Sequence, residues 1–259
     1  MWDARLLDRG TWQWQTEESF STIRDMANRR YRTIFLDAGG VLVTPNWRRA
    51  SEALARQGVS VTPGRLAAAE PFVKQQLDVA PTVRSTNDQQ RGFLYFDLIL
   101  ARAGIEANAA TDAAMAELKA FNDTDGTWDV VAADAVTTLQ RLREASCRVV
   151  VVSNTNGTLR RMFRRVGLEP WIDLVIDSQE EGVEKPDPRL FEIALERAGA
   201  SRGSTIHCGD IYQIDVVGAR SAGISAVLLD SEGLYAHANC PRVSSLTEFA
   251  DRLLGGEFD

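Results

Sequence analysis

Five short apolar segments alternate with helix-like segments along most of this sequence, and this alternation limits the folds open to the chain. The apolar segments span residues 31–43, 147–154, 172–178, 204–210 and 225–230. Strands that alternate with helices of this length connect by right-handed crossovers and form a parallel sheet. Their continuous apolar character fits strands that are buried on both faces. The pattern therefore predicts an α/β protein in which helices cover both sides of a parallel sheet.

The alternation is interrupted between residues 46 and 123. Four helix-like segments occur there, separated by Gly, Pro, Asn and Thr signals, and they span residues 46–58, 62–77, 87–104 and 108–123. We predict a helical domain inserted after the first strand, which leaves residues 31–45 and 124–259 to form a three-layer, Rossmann-like core. Residues 1–30 contain three tryptophans and an amphipathic stretch, so we predict a helical extension that packs on the core.

Composition excludes several classes of protein. The net charge of −7 disfavours a general binder of nucleic-acid backbones. No apolar run approaches the roughly 18–20 residues that span a bilayer, and the first residues do not resemble a secretion signal. We therefore expect a cytoplasmic protein without a nucleic-acid or membrane partner. Two histidines, and three cysteines without a CxxC pair, argue against a multi-histidine metal site, a zinc ribbon or a disulfide framework.

Lysine is rare in this chain. Lys74, Lys119 and Lys185 are the only lysines, so 26 of the 29 basic residues are arginine. Because arginine is the usual cation here, each lysine is a better candidate than usual for a specific role.

Polar side chains stand where the predicted strands end. Asp37 ends the first strand, Ser153 and Asn154 end the second, and Asp210 ends a later one, while Lys185 lies in the loop after the 172–178 strand. Each residue alone is more simply explained as a cap, a turn former or a solvated side chain. Ligands of open α/β sheets bind beyond the carboxyl ends of the strands. The joint arrival of these residues at that edge therefore favours a functional site.

Four motifs contain these residues in a fixed order: FLDAGG, VVVSNTNG, EKPDPRLF and HCGDIYQID. Together they resemble the motifs of the haloacid dehalogenase-like hydrolase superfamily, and the resemblance covers residues 31–230. It implies that Asp37 is a carboxylate nucleophile and that the helical insertion is a cap over the active site. It also implies a Mg²⁺-dependent hydrolase, most simply a phosphatase that cleaves a small phosphomonoester through an aspartyl-phosphate.

The resemblance assigns the metal ligands residue by residue. Asp37, Asp210 and the backbone carbonyl of Gly39 are expected to bind Mg²⁺, and Asp215 is expected to hold a metal-bound water or to support the site. Mg²⁺ takes hard oxygen ligands, so these groups suit it.

The remaining motif residues are expected to bind the substrate. Lys185 places a compact positive charge against the nucleophile and the phosphoryl oxygens. Ser153, Asn154 and nearby backbone N–H groups at a helix start are expected to hold the phosphate. Among residues of the helical insertion, Arg84, Arg91, Trp47 and Tyr95 are candidate substrate contacts, whereas Phe93 is expected in a core. A helical cap can also supply a homodimer surface.

Gly39 departs from the phosphatase pattern, which has a second Asp there as general acid and base. Losing such a group typically lowers the rate by about 10²–10⁴-fold, so Gly39→Asp is expected to raise turnover on poor leaving groups. Three alternatives stay open: a phosphatase, another hydrolase chemistry, or a weakly catalytic binding or regulatory protein. The other chemistries are C–halogen hydrolysis and phosphonate hydrolysis through a Schiff base on Lys74, although we expect Lys74 on a helix surface.

Overall fold

The computed structural model describes residues 29–258. The helical extension predicted over residues 1–30 lies outside the described residues, apart from its last two positions, and stays a prediction. Within the described range, no helix combines the length and the apolar character needed to cross a lipid bilayer.

Six parallel strands form the central sheet in the order β5-β4-β1-β6-β7-β8. The strands of the sheet are β1 Thr33–Leu36, β4 Arg148–Ser153, β5 Leu174–Asp177, β6 Thr205–Gly209, β7 Ser225–Leu229 and β8 Arg242–Val243. Two further short strands, β2 Val43–Thr44 and β3 Val130–Val131, pair in a separate antiparallel ribbon. All five predicted strands are present, so the α/β prediction is confirmed. The ribbon β2–β3 and the edge strand β8 were not predicted.

Five helices lie between β2 and β3, where four were predicted. They are α1 Trp47–Arg56, α2 Pro63–Leu77, α3 Ala80–Ser85, α4 Asp88–Arg102 and α5 Ala109–Asp125. The short helix α3 was missed because its Pro81 near the start reads equally well as a turn signal. This helical block has an apolar cluster of its own, which includes Leu54, Leu66 and Ile99. Whether it acts as a cap stays a prediction.

Helices on both faces of the sheet complete three layers. They are α6 Ala135–Glu144, α7 Leu159–Val166, α8 Ser178–Glu181, α9 Pro188–Ala198, α10 Val217–Ser221 and α11 Leu246–Leu254. Successive residues of a strand point to opposite faces, so Ile34 packs in the cluster under α6, α7 and α11, while Phe35 packs in the cluster under α9. The helix predicted over residues 211–223 is instead a wide π-helical turn, Tyr212–Val216, followed by the short helix α10.

The strand order fixes where a ligand can bind. From β1 the chain moves to β4 and β5 on one side and then returns to β6 on the other side of β1. The direction of the strand order therefore reverses between β1 and β6, and such switch points open a crevice beyond the strand ends. Because Leu36 is in register with Cys208, the residues that follow these two strands lie side by side.

Candidate active site

Three carboxylates meet beyond the ends of β1 and β6. Asp37 follows β1, Asp210 follows β6, and Asp215 lies in the wide turn after it. Each residue offers one oxygen within 4.8 Å of the oxygens offered by the other two. All three side chains are almost fully buried. The sequence prediction that these residues would lie together agrees with this geometry.

The wide turn after β6 brings Asp215 back towards the sheet. The Oδ2 of Asp215 accepts a hydrogen bond from the Ile211 backbone N–H at 3.0 Å, and its Oδ1 lies 3.0 Å from the Nε2 of His207. Gly209 is needed for this approach, because a Cβ atom at that position would lie 2.2 Å from the Cγ of Asp215. The Gly-Asp-x4-Asp spacing thus packs one carboxylate against the backbone that carries the other.

Lys185 connects two of the carboxylates. Its Nζ lies 2.9 Å from the Oδ1 of Asp37 and 2.6 Å from the Oδ1 of Asp215, and its side chain is only 1% exposed. Burial by itself lowers the pKa of Lys185, but the charges of Asp215 and Asp37 outweigh it and raise the pKa above its usual value. The ammonium therefore stays charged beside the predicted nucleophile.

Asn154 holds the backbone of Lys185 in place. Its Oδ1 accepts a hydrogen bond from the Lys185 N–H at 2.7 Å, and its Nδ2 donates to the Lys185 carbonyl at 2.9 Å. Both ends of the amide are thus engaged, and phosphate binding by Asn154 stays a prediction. Ser153, the last residue of β4, is buried and lines the same cavity as Asp37 and Gly39.

Lys74 is part of the site, and the expectation that it lies on a helix surface was wrong. It projects from α2, and its Nζ lies 2.7 Å from the Oδ2 of Asp210 and 2.8 Å from the Oε1 of Glu70. The ring of Trp128 lies beneath the ammonium, at 5.2 Å from its centroid. Burial by itself lowers the pKa of Lys74, but the charges of Asp210 and Glu70 outweigh it, so the net pKa lies above the usual value. The helical period alone could not show that this face of α2 packs over the strand ends.

Asp210 is the least compensated of the three carboxylates. Burial and the charges of Asp37 and Asp215 raise its pKa to about 7, although Lys74 works in the opposite direction. Its Oδ1 is buried and has no hydrogen-bond partner among residues 29–258. Four carboxylates share two lysine ammonium groups: Lys74 pairs with Asp210 and Glu70, and Lys185 pairs with Asp37 and Asp215, which also contacts the His207 ring. This surplus of hard oxygen donors fits a divalent cation such as Mg²⁺.

The helical block also supports the loop that carries the carboxylates. Asp78, just beyond α2, accepts hydrogen bonds from the backbone N–H groups of Tyr212 and Gln213 at 2.6 and 2.7 Å. Burial raises the pKa of Asp78, and these hydrogen bonds oppose the shift. Gln75 adds a third connection by donating to the Leu234 carbonyl at 2.6 Å. The block therefore fixes the start of the π-helical turn that positions Asp215.

A cavity of about 840 Å³ opens beside Asp37 between the strand ends and the helical block. Its apolar wall is formed by Phe93, Phe96, Met115, Leu118, Leu159 and Met162. Phe93 is 50% exposed, so its assignment to a core was wrong. Of the candidate contacts from the block, Arg91 and Tyr95 line the cavity, whereas Trp47 packs inside the block and Arg84 is exposed.

Comparison with known proteins identifies the family. The sequence profile of the haloacid dehalogenase-like hydrolases matches residues 31–223, which is most of the chain. The protein belongs to this family. Its six-stranded parallel sheet, with helices on both faces, is the fold of the family's solved members.

Curated relatives of this hydrolase match about half of its length. The haloacid dehalogenase-like hydrolase domain-containing protein 3 of Danio rerio is 35% identical over 130 residues, which are 49% of this chain and 53% of the relative. The ribulose-1,5-bisphosphate 5-phosphatase of Halopiger xanaduensis is 32% identical over 120 residues, 46% of each chain. The chain thus spans about half the length of the curated relatives it matches.

A solved structure covers more of the chain at lower identity. The HAD-hydrolase YfnB of Bacillus subtilis, described as bound to magnesium, superposes with a TM-score of 0.65. The match covers 87% of this chain and 99% of YfnB at 20% identity, so it shows a shared fold.

The departure at Gly39 has a structural counterpart in this haloacid dehalogenase-like hydrolase. A Cβ atom added at position 39 would lie 3.2 Å from Cε3 and 3.3 Å from Cζ3 of Trp128. The indole ring therefore occupies part of the space that a side chain at position 39 would need. The two residues lie on opposite sides of the helical block in the sequence, so the motif alone does not reveal this contact.

Five residues near the carboxylates were missed or misplaced by sequence reasoning: Glu70, Lys74, Asp78, Trp128 and His207. The rarity of lysine was a usable signal for Lys74, since two of the three lysines, Lys74 and Lys185, pair with the carboxylates of the site. Glu70 is four residues before Lys74, a spacing that is also typical of an ordinary exposed ion pair.

Proposed function

We propose that this hydrolase is a magnesium-dependent phosphatase that cleaves a small phosphomonoester through an aspartyl-phosphate on Asp37. One observation carries the proposal: Asp37 pairs with the buried ammonium of Lys185 beside Asp210 and Asp215, and all four residues line the cavity. The relative from Halopiger, whose name describes a sugar-phosphate phosphatase, supports the same reaction type.

The residues account for both halves of the reaction. An oxygen of Asp37 attacks phosphorus, and the bond from phosphorus to the ester oxygen breaks. The leaving group departs as an alkoxide or phenoxide anion, which takes its proton from solvent. Water then attacks the phosphorus of the acyl phosphate, which releases inorganic phosphate and restores Asp37. Lys185 reduces the repulsion between the anionic nucleophile and the anionic substrate, and the hydroxyl of Ser153 would donate to a phosphoryl oxygen.

The carboxylates Asp37 and Asp210 and the carbonyl of Gly39 would hold the metal, and Asp215 would support them. When bound, Mg²⁺ supplies positive charge that offsets the charge developing on the transferring phosphoryl group. No carboxylate stands at position 39 to protonate the leaving oxygen. We therefore expect a preference for esters whose leaving groups are stable as anions.

The helical block is proposed to act as the cap that encloses the substrate. Its residues form one wall of the cavity, and Asp78 and Lys74 connect it to the strand ends. The apolar wall described above favours phosphomonoesters with an apolar or aromatic portion over compact, fully hydroxylated ones.

A phosphate-release screen over phosphomonoesters, with and without Mg²⁺, tests the proposal. Activity should disappear on chelation and in Asp37→Asn, whereas Asp251→Asn, at an exposed acid of α11 away from the cavity, should retain it. Hydrolysis that survives in purified Asp37→Asn would disprove the nucleophile assignment.

The position of Lys74 favours a second candidate, the hydrolysis of a carbonyl-containing phosphonate through an imine on this lysine. The ion pairs with Asp210 and Glu70 oppose it, because they keep the amine protonated. Borohydride reduction in the presence of such a phosphonate, followed by mass spectrometry of the peptide containing Lys74, tests this candidate. An unmodified peptide would rule it out.

A further inference from the structure

Lys74 reaches from the helical block into the carboxylate cluster and contacts only one of its three aspartates. Its ammonium binds the Oδ2 of Asp210 at 2.7 Å, while Asp37 and Asp215 pair with Lys185. The chain thus supplies its own cation to the carboxylate that the proposed metal site needs. The Lys74 side chain is 14% exposed, so solvent screens this charge only weakly.

Glu70 gives the ammonium a second place to bind. Its Oε1 lies 2.8 Å from the Nζ of Lys74, and its Oε2 accepts a hydrogen bond from the Nε1 of Trp47 at 3.2 Å. Glu70 is therefore fixed within the helical block and does not depend on the core for its position. A lysine side chain has a flexible four-carbon stem, so the ammonium can leave Asp210 and remain paired with Glu70.

The contact between Lys74 and the Oδ2 of Asp210 opposes the binding of a metal ion to the same carboxylate. A divalent cation and an ammonium repel each other, and both require the same carboxylate. Gly40 limits the room further, because a Cβ atom at that position would lie 2.0 Å from the Oδ2 of Asp210 and 2.7 Å from the Nζ of Lys74. The oxygen and the ammonium are thus packed against the backbone of the first motif.

We propose that Lys74 is an internal counter-ion that neutralises Asp210 in the metal-free enzyme and competes with the divalent cation for it. When the cation binds, the ammonium leaves Asp210 and keeps its ion pair with Glu70, which changes the contact between α2 and the strand ends. Metal occupancy is thereby coupled to the position of the helical block. The inference rests on the proposed function only in taking Asp210 as a metal ligand.

Calorimetric titration of the full chain with MgCl₂ tests the competition. Lys74→Met keeps the length of the side chain and removes its charge, and Arg48→Met, at an exposed ion pair with Glu52 away from the cavity, is the matched control. We expect Lys74→Met to bind Mg²⁺ about tenfold more tightly or better, and Arg48→Met to bind like the wild type. Unchanged or weaker binding by Lys74→Met would overturn the proposal.

Glu70→Gln provides a test of opposite sign. Without the charge of Glu70, the ammonium is held mainly by Asp210, so Mg²⁺ binding should weaken by about threefold to tenfold. Tighter binding in this variant would contradict the two-position scheme.

Thermal melting gives a readout that does not depend on catalysis. Removing one partner of a buried ion pair leaves the other charge uncompensated, so metal-free Lys74→Met should melt well below the wild type. Saturating Mg²⁺ should restore most of the difference, because the cation binds only the native state. A decrease in melting temperature that Mg²⁺ does not reverse would count against the counter-ion role.

The outcomes separate this inference from the proposed function. If Lys74→Met binds Mg²⁺ more tightly but no phosphomonoester is hydrolysed, the counter-ion role stands and the phosphatase proposal fails. If neither the wild type nor Lys74→Met binds the cation, Asp210 is not a metal ligand and both fail.

Discussion

Placing a carboxylate at position 39 tests whether the absence of an acid and base at Gly39 limits turnover. The added Cβ would approach the Trp128 ring to 3.2–3.3 Å, inside the optimal carbon–carbon separation of about 3.5–4.0 Å, so the ring must retreat by about 0.3 Å. The half-buried ring also stacks obliquely with Tyr95 and lies under the ammonium of Lys74. Overpacking of this kind typically costs about 1–3 kcal/mol.

We therefore expect Gly39→Asp alone to give only a small part of the gain available from a positioned acid and base, which is about 10²–10⁴-fold. Gly39→Asp combined with Trp128→Leu should exceed Trp128→Leu alone by about 10²-fold in kcat/KM on esters with poor leaving groups. Trp128→Leu is the matched control, because it removes the ring without adding a carboxylate.

The assay is steady-state phosphate release over a series of phosphomonoesters that differ in leaving-group pKa. A restored general acid should flatten the dependence of the rate on that pKa, so the gain should be largest for alkyl esters. An equal gain across the series, or no gain in a double variant that still folds and binds Mg²⁺, would refute the argument.

Three further variants probe the metal site. Gly40→Ala should weaken Mg²⁺ binding by about tenfold and destabilise the fold by roughly 1–3 kcal/mol, because Gly40 has φ +76° and the added Cβ would displace Asp210. Calorimetry measures the affinity and urea unfolding measures the stability. A variant that binds Mg²⁺ as tightly as the wild type would contradict this expectation. Asp210→Asn should remove a pH dependence. The pKa of Asp210 rises to about 7 on folding, so in the chelated wild type this group lowers stability progressively as pH rises from about 4 to 7. The melting temperature of the variant should therefore rise relative to that of the wild type over the same pH range, and parallel profiles would exclude the shift. Asp78→Ala removes the acceptor of two backbone hydrogen bonds and should destabilise the chelated protein by about 2–4 kcal/mol; an unchanged urea midpoint would show that the connection from the helical block does not support the loop.

Much of the sheet and of the carboxylate cluster was predictable because both depend on local sequence and on strand pairing. Asp37 and Asp210 each end a buried strand, and parallel strands present their carboxyl ends at one edge. Once β1 and β6 are known to pair, it follows that Asp37 and Asp210 lie close together. The π-helical turn that brings Asp215 back towards the sheet was harder to predict, because the sequence of residues 211–223 also fits an ordinary α-helix.

The contribution of the helical block could not be predicted, because it depends on how one packed unit sits against another. Helical periodicity groups Glu70 with Lys74 on one face of α2, but it does not say whether that face meets solvent or the strand ends. The same limit applies to Asp78, whose partners lie more than a hundred residues along the chain, and to Phe93, which reads as core by its side chain alone.

The sequence by itself determined the α/β class, the motif order and the residues that end the strands, because apolar runs and the carboxyl ends of paired strands follow from local patterns. Only the tertiary structure decided that the ammonium of Lys74 binds Asp210 and that the ring of Trp128 stands beside Gly39. The first contact joins the helical block to the core, and the second joins two segments of the core that the block separates in the sequence. Both depend on how segments pack against one another, and no periodicity within one segment specifies that packing.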